Sequence, residues 1–300
     1  MMFSRQNLVV AICLIAQAVA IPILEPRATV GKYILGQVSK PTVVDNDKAI
    51  SAFPDLQRAA KLSSAAYSGC IGKAFDVSIT KTIYDALTDT NGYVGYSDSK
   101  KTIAVVMRGS TTVTDILNDV DTTLVTPSLS GVSFPSGVKI MSGVNRPWSA
   151  VHDSVISEVK RLVAKYPTYT LEATGHSLGG ALTYISHVAL AQNFPGKQLT
   201  SNALAAFPIG NSAWASFAGS QSGTLNRGNN IADGVPNMYV SGIYNFEHYG
   251  TEYYSSGLAT TCLKCQGERD LACSAGNLMY GVTAGHFQSF GIGLGLAGCF

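Results

Sequence analysis

An α/β fold built on a mainly parallel sheet is the architecture this sequence predicts. Three observations predict it: strand-length and helix-length hydrophobic patterns alternate over residues 102–211, one of them is an unbroken apolar run, and a Gly-rich turn joins a strand directly to a helix. The 300 residues are 46% hydrophobic and 13% charged, enough for one large core and far from the composition of a disordered chain. No Pro/Ser/Gly-rich linker, charge run or internal repeat divides the middle, so a single domain is expected.

Residues 1–20 read as a secretory signal. Arg5 precedes the apolar stretch 8–18, and Ala18-Val19-Ala20 is the small-x-small pattern of a cleavage site. A bilayer span takes about 20 apolar residues, a length that neither this stretch nor any later one reaches, so no transmembrane segment is expected. Residues 21–45 contain Pro22, Pro26 and Pro41 with little periodicity, which predicts a propeptide or extended arm and leaves 46–300 for the folded domain. The formal charge of the whole chain is +2, and loss of Arg5 lowers it further, so a nucleic-acid partner has no electrostatic support.

From Phe53, the residues Leu56, Ala59, Ala60 and Leu62 recur at helical spacing as far as Tyr67, where Ser68-Gly69 ends the helix and Cys70 follows. Residues 81–86 and 92–97 lead into 102–107, an apolar run suited to the buried centre of a sheet. It stops at Arg108-Gly109-Ser110. Between Trp148 and Tyr166, the residues Val151, Val155, Val159, Leu162 and Val163 repeat at helical spacing, with Asp153, Glu158, Lys160 and Arg161 mostly between them. This is the pattern of an amphipathic helix lying on a sheet. Residues 168–173 then predict a strand, Gly175 to Gly180 a turn, and Leu178, Ala181, Leu182, Ile185 and Leu190 a second helix. A further strand at 203–207 precedes Pro208-Ile-Gly-Asn211 and a short helix.

Cys13 falls in the signal, which leaves Cys70, Cys262, Cys265, Cys273 and Cys299 in an oxidising compartment where disulfides persist. The run Cys262-x2-Cys265-x7-Cys273 has no fourth ligand at a zinc spacing, so disulfides are favoured over a metal and one thiol is left over. No Asn-x-Ser/Thr acceptor for N-glycosylation occurs.

In Gly175-His-Ser-Leu-Gly179, Ser177 stands between two glycines at a strand-to-helix junction, which is the pattern of a nucleophile elbow. A serine on so sharp a turn has strained backbone angles, and glycines on either side keep side chains from colliding with it. The following helix aims free N–H groups at the reacting centre, where an oxyanion develops. A serine that merely caps the helix is the competing reading, but capping does not call for Gly175 as well. The serine needs a base, and a neutral imidazole can take and return a proton near neutrality. In an α/β-hydrolase the chain order is Ser, acid, His, which restricts the base to His248 or His286 and the acid to residues such as Asp233, Glu247 or Glu252. Asp233, in the turn Ile231-Ala-Asp-Gly-Val-Pro236, is favoured, with an ordinary Asp-Gly turn as its rival. His176, adjacent to the nucleophile, is expected to point away from it.

Met107-Arg-Gly-Ser110, Gly175-His-Ser-Leu-Gly-Gly-Ala-Leu182, Gly210-Asn211, Asp233-Gly-Val-Pro236, His248-Tyr-Gly-Thr-Glu-Tyr-Tyr254 and Gly285-His-Phe-Gln-Ser-Phe-Gly291 together resemble the class three lipases, the filamentous-fungal triacylglycerol lipase family that also includes feruloyl esterases. The likeness covers roughly residues 50–300. It implies an α/β-hydrolase fold with Ser177 as nucleophile, Asp233 as orienting acid, His286 as general base and His248 as a structural neighbour. It also implies an oxyanion hole from the Leu178 N–H and from the N–H and hydroxyl of Ser110, with no cofactor or metal. Disulfides Cys70–Cys299 and Cys265–Cys273 follow from the same resemblance, with Cys262 the odd thiol. Phe207-Pro-Ile-Gly-Asn211 departs from the family's usual Pro-Arg before Val-Gly-Asn, a difference of scaffold and not of chemistry.

The segment from Thr111 to about Pro127 aligns with the family's lid. Val113, Ile116, Leu117 and Val120 give it an apolar face suited to a lipid surface, whereas Asp115, Asn118, Asp119 and Asp121 suit a lid that stays open over a soluble ester. The expected activity is that of a secreted triacylglycerol lipase, monomeric and acting on a lipid or ester substrate at a lipid–water interface through an acyl-enzyme on Ser177. A soluble aryl or short-chain esterase, feruloyl-esterase-like, is the alternative. A non-catalytic binding protein on the same fold is disfavoured by the complete set of Ser177, Asp233, His286 and Ser110.

Overall fold

The computed structural model describes residues 46–111 and 120–300, which build a nine-stranded sheet with helices on both faces. Helix α1 (Asn46–Tyr67) comes first, then β1 (Lys73–Ala74), β2 (Val77–Asp85), β3 (Thr90–Ser97) and β4 (Thr102–Met107), each strand antiparallel to the last. A separate short pair, β5 (Leu124–Val125) with β6 (Ile140–Met141), leads into α2 (Ser142–Lys165). The chain then returns to lay β7 (Thr170–His176) parallel to β4, followed by β8 (Leu199–Leu204), β9 (Thr224–Asn230) and β10 (Thr251–Ser255), all parallel. Helix α3 (Leu178–Asn193) connects β7 to β8, and α4 (Ser212–Gly219) connects β8 to β9. Strand β11 (Leu263–Lys264) closes the edge antiparallel. The described residues lie in one compact unit, and none of their helices is long and apolar enough to cross a membrane.

Strand β4 explains why its sequence is an unbroken apolar run. Successive side chains alternate between faces, so Ile103, Val105 and Met107 join the core beneath α2 and α3, while Ala104 and Val106 pack under α1. A strand covered on both sides has no use for polar alternation. Helix α3 is enclosed likewise, with Gly179 to Ala191 buried without interruption.

Other elements depart from the sequence pattern. Strand β9 reads Thr-Leu-Asn-Arg-Gly-Asn-Asn and carries no hydrophobic signal, yet Arg227, Asn229 and Asn230 are buried. Part of this polarity is met inside the fold: an Arg227 nitrogen lies 3.2 Å from Glu252, and Asn229 donates to the same carboxylate at 3.0 Å. Strand β8 begins at Leu199, four residues before the expected start, because Ser201 is buried against His187 at 2.9 Å. Helices α1 and α2 begin at Asn46 and Ser142, ahead of their apolar repeats, and run through Pro54 and Pro147.

Two cysteine pairs are joined. Cys70, just past α1, bonds Cys299 with Cα atoms 5.7 Å apart, and Cys265 bonds Cys273 at 6.2 Å; Cys262 is free and buried. The first closes a loop with a sequence separation of 229, so the chain-entropy model gives it about 5 kcal/mol. Cys70→Ser combined with Cys299→Ser should therefore lower the melting temperature by about 10 °C or more, at roughly 2–4 °C per kcal/mol for a domain of this size. Calorimetry of the double variant checks this, and an unchanged melting temperature would refute it.

Candidate active site

Ser177 lies at the junction of β7 and α3 with φ 61° and ψ −125°, a region that residues with a Cβ rarely adopt. Its surroundings hold it there: its N–H donates to the Leu204 carbonyl at 2.9 Å, and its own carbonyl accepts from the Ala181 N–H at 3.0 Å. The flanking glycines are demanded by close approach. A Cβ on Gly175 would stand 2.2 Å from the Gly179 oxygen, and one on Gly179 would stand 2.3 Å from the Met107 oxygen. The end of β4 thus packs directly on the start of α3, which carries Gly109 and Ser110 to the elbow.

His286 sits in a short 3-10 turn, Ala284–Phe287, with Nε2 2.9 Å from the Ser177 hydroxyl oxygen. Its Nδ1 lies 3.1 Å from each carboxylate oxygen of Asp233. All three residues are buried. An ionised carboxylate only accepts, so Nδ1 carries the proton and Nε2 presents its lone pair to the serine O–H. The two turns are locked to each other. Gly234 N–H donates to the Thr283 hydroxyl at 2.9 Å, Asn277 donates to the Asp233 carbonyl at 2.9 Å, and a Cβ on Gly285 would stand 2.1 Å from the Ile231 oxygen.

The other sequence candidates are engaged elsewhere. His248 donates from Nε2 to the Pro236 carbonyl at 2.8 Å, while its Nδ1 accepts from the Tyr184 hydroxyl at 3.0 Å. Glu252 binds Arg227, Asn229 and the Ser274 N–H; Glu247 makes no bond to His286 or His248 among the described residues, and its backbone N–H donates to the Gly210 carbonyl. His248→Ala should accordingly cost stability, leaving kcat per folded molecule within a few-fold of wild type. A melting curve together with kcat normalised to titrated active sites checks this, and an inactive but stable variant would overturn it.

Ser110 is buried, and its hydroxyl has no hydrogen-bond partner among the described residues. Such groups are rare and call for an explanation; a donor held ready for an oxyanion supplies one. Ser110 lines a cavity of about 150 Å³ with Tyr67, His176, His286, Phe287 and Leu294. A larger cavity of about 360 Å³, bounded by Tyr249, Thr251, Lys264 and Glu268, touches none of Ser177, His286 and Asp233. Leu178 opens α3, where the first N–H groups of a helix have no intrahelical acceptor. Of the residues expected to form a lid, Val113, Asp115, Ile116, Leu117, Asn118 and Asp119 lie outside the described residues; Val120 is half-buried against the core. The sulfurs of Cys265 and Cys273 approach Glu252 closely enough to suggest a metal, but they are bonded to each other and offer no thiolate.

Sequence reasoning set His176 aside as pointing away from the nucleophile and gave Tyr67 no role in the site. The His176 ring lies against that of His286, with centroids 4.6 Å apart, and its Nδ1 is 3.0 Å from the Tyr67 hydroxyl. Burial pushes His176 and His248 well below the usual histidine range and His187 down to about 4. In the unfolded chain each titrates near about 6.5, so between that pH and the folded value the unfolded state binds more protons. Stability is then lost as pH falls below about 6.5, at up to about 1.4 kcal/mol per pH unit for each histidine. Melting temperatures measured from pH 8 down to pH 4.5 should fall steadily over the lower half; a flat profile would contradict the buried neutral histidines.

A sheet parallel at its centre, with a serine on the strand–helix turn after β7 and an acid and a histidine on later loops, defines an α/β-hydrolase. A family model described as Lipase (class 3) matches residues 104–242. A secreted alkaline triacylglycerol lipase of Penicillium cyclopium is 65% identical over 299 residues, covering 100% of this chain and 99% of that one. Among solved structures, a triacylglycerol lipase from Penicillium expansum superposes with a TM-score of 0.83 at 71% identity, over 83% of this chain and 97% of the other. Another, a triacylglycerol lipase with a serine protease triad as its catalytic centre, gives 0.73 at 27% identity over 82% and 97%. The chain belongs to the class 3 lipase family.

Proposed function

We propose that this protein is a secreted triacylglycerol lipase that works through an acyl-enzyme on Ser177, with His286 as general base and Asp233 as the acid that orients it. The observation that carries this is the buried line from Ser177 through His286 to Asp233, built on loops whose outer side chains are apolar. Ile231, Met279 and Tyr280 are exposed, Leu278 is 78% exposed and Phe287 54% exposed. Gly234, next to Asp233, bridges Gly281, so these side chains surround the turns that hold the acid and the base. Apolar groups gathered there suit a lipid surface better than water.

The geometry supports the following course. His286 Nε2 takes the Ser177 proton as the oxygen attacks the ester carbonyl, and Asp233 stabilises the imidazolium. The carbonyl oxygen gains charge and is met by the N–H of Leu178 and by the N–H and hydroxyl of Ser110. His286 then returns its proton to the departing alcohol. Water, activated by His286, releases the acyl group in a second round. The two disulfides and the secreted lipase relative support an extracellular role, with 1–20 as signal, 21–45 as propeptide or arm and 46–300 as the catalytic domain.

Rates on emulsified long-chain triacylglycerol and on soluble short-chain and feruloyl esters, measured through each solubility limit, test the assignment. The triacylglycerol should be preferred, with an upturn where emulsion forms. Preference for the soluble esters, with smooth saturation, would make the enzyme an esterase.

A further inference from the structure

We propose that Tyr67 and His176 are positioning residues that act as one unit: a single hydroxyl ties the oxyanion segment to the nucleophile elbow and holds a neutral imidazole against the ring of His286. This rests on the reading of Ser177, His286 and Asp233 given above.

Tyr67 is the last residue of α1, and its hydroxyl enters the place where three segments meet. It lies 3.0 Å from Nδ1 of His176 and 3.4 Å from the backbone oxygen of the same residue, and it packs closely against the backbone of Gly109. A Cβ on Gly109 would stand 2.0 Å from that hydroxyl oxygen and 2.5 Å from the His176 oxygen, so glycine is required there for the hydroxyl to fit. One oxygen therefore bonds the residue just before Ser177 and fits against the residue just before Ser110. Movement of the oxyanion donors relative to the nucleophile would have to disturb this close fit.

His176 extends the same contact to the base. Its ring is buried and inclined at 39° to that of His286. The titratable and charged groups that act on this pair are Tyr67 from α1, Arg108 from the end of β4 and His286 itself. Burial, with His286 adding to it, keeps His176 uncharged, and burial likewise raises Tyr67 so that its hydroxyl retains its proton. When the Ser177 proton passes to Nε2 of His286, a cation forms in a site removed from water. Asp233 meets it at Nδ1, and a neutral π face meets its ring, whereas a charged neighbour would repel it. The unit exchanges no proton with substrate. It limits rotation of a ring that must keep Nε2 on the serine and Nδ1 on the carboxylate together, and misplacement of about 1 Å at such a site costs about 10²-fold in rate.

Tyr67→Phe removes one oxygen and keeps the ring, and His176→Leu removes the imidazole. With p-nitrophenyl butyrate as soluble substrate and active sites counted with an organophosphate, each should lower kcat about 10- to 100-fold while KM stays within twofold. The double variant should be no worse than the poorer single variant, because the two residues act together. His176→Asn, whose amide can offer either a donor or an acceptor to the Tyr67 hydroxyl, should recover part of what His176→Leu loses. Turnover per titrated site within twofold of wild type in Tyr67→Phe would overturn the proposal, and this variant decides the matter even if His176→Leu fails to fold. Additive losses in the double variant would overturn the coupling. An active Ser177→Ala enzyme would instead remove the triad reading itself, a result separate from either.

Discussion

Ser177→Ala is expected to abolish ester hydrolysis, lowering kcat by about 10⁶-fold, while the melting temperature stays near that of the wild type. Losses of that order follow when the nucleophile of a serine triad is removed alone. The fold should tolerate the change because the Ser177 hydroxyl contributes no packing bond: its one described partner is Nε2 of His286 at 2.9 Å. The strained backbone angle is maintained by bonds from the Ser177 N–H and carbonyl, which alanine keeps. The expected result also separates this serine from a second serine–histidine pair, Ser201 and His187, 2.9 Å apart. Both members of that pair are buried, His187 is held neutral by burial, and no carboxylate orients it among the described residues. Ser201→Ala should leave turnover near wild type. Activity of Ser177→Ala above about a hundredth of wild type would remove Ser177 from its assigned role.

Where apolar content or glycine was locally dense, the sequence was legible. Strand β4 could be read from six consecutive residues because both its faces are covered. The elbow could be read because close approach of α3 and β4 leaves no room for side chains at Gly175 and Gly179, and that requirement is written in the residue types. Strand β9 could not, since its burial depends on Arg227 and Asn229 finding Glu252, a residue on the next strand of the sheet. The same limit applied within the site. Chain order narrowed the base to His248 or His286 and left the acid open among Asp233, Glu247 and Glu252; only the family motifs distinguished them. Tyr67 and His176 were missed for a related reason. A tyrosine at a helix end and a histidine beside a serine carry no signal alone, and their contact joins residues 109 positions apart.

Asp233→Asn is the second large effect expected, a fall in kcat of about 10⁴-fold with KM little changed, as for the corresponding substitution in other serine triads. The argument turns on which nitrogen of His286 holds the proton. With aspartate, both oxygens at 3.1 Å accept, so Nδ1 must donate and Nε2 is free to take the serine proton. An asparagine amide that turns its NH₂ to Nδ1 reverses the tautomer and leaves an N–H facing Ser177, where a base is needed. If its oxygen faces Nδ1 instead, the tautomer survives but the imidazolium has lost its counter-charge in a buried site. Either orientation removes stabilisation that exists only in the transition state, which is why kcat should fall and KM should not. Glu252→Gln is the matching control. Glu252 is equally buried, but it faces Arg227, so this change should lower the melting temperature by leaving a buried guanidinium without its ion-pair partner, and turnover per folded molecule should persist. An inactive Glu252→Gln alongside an active Asp233→Asn would reverse the two roles and reassign the acid.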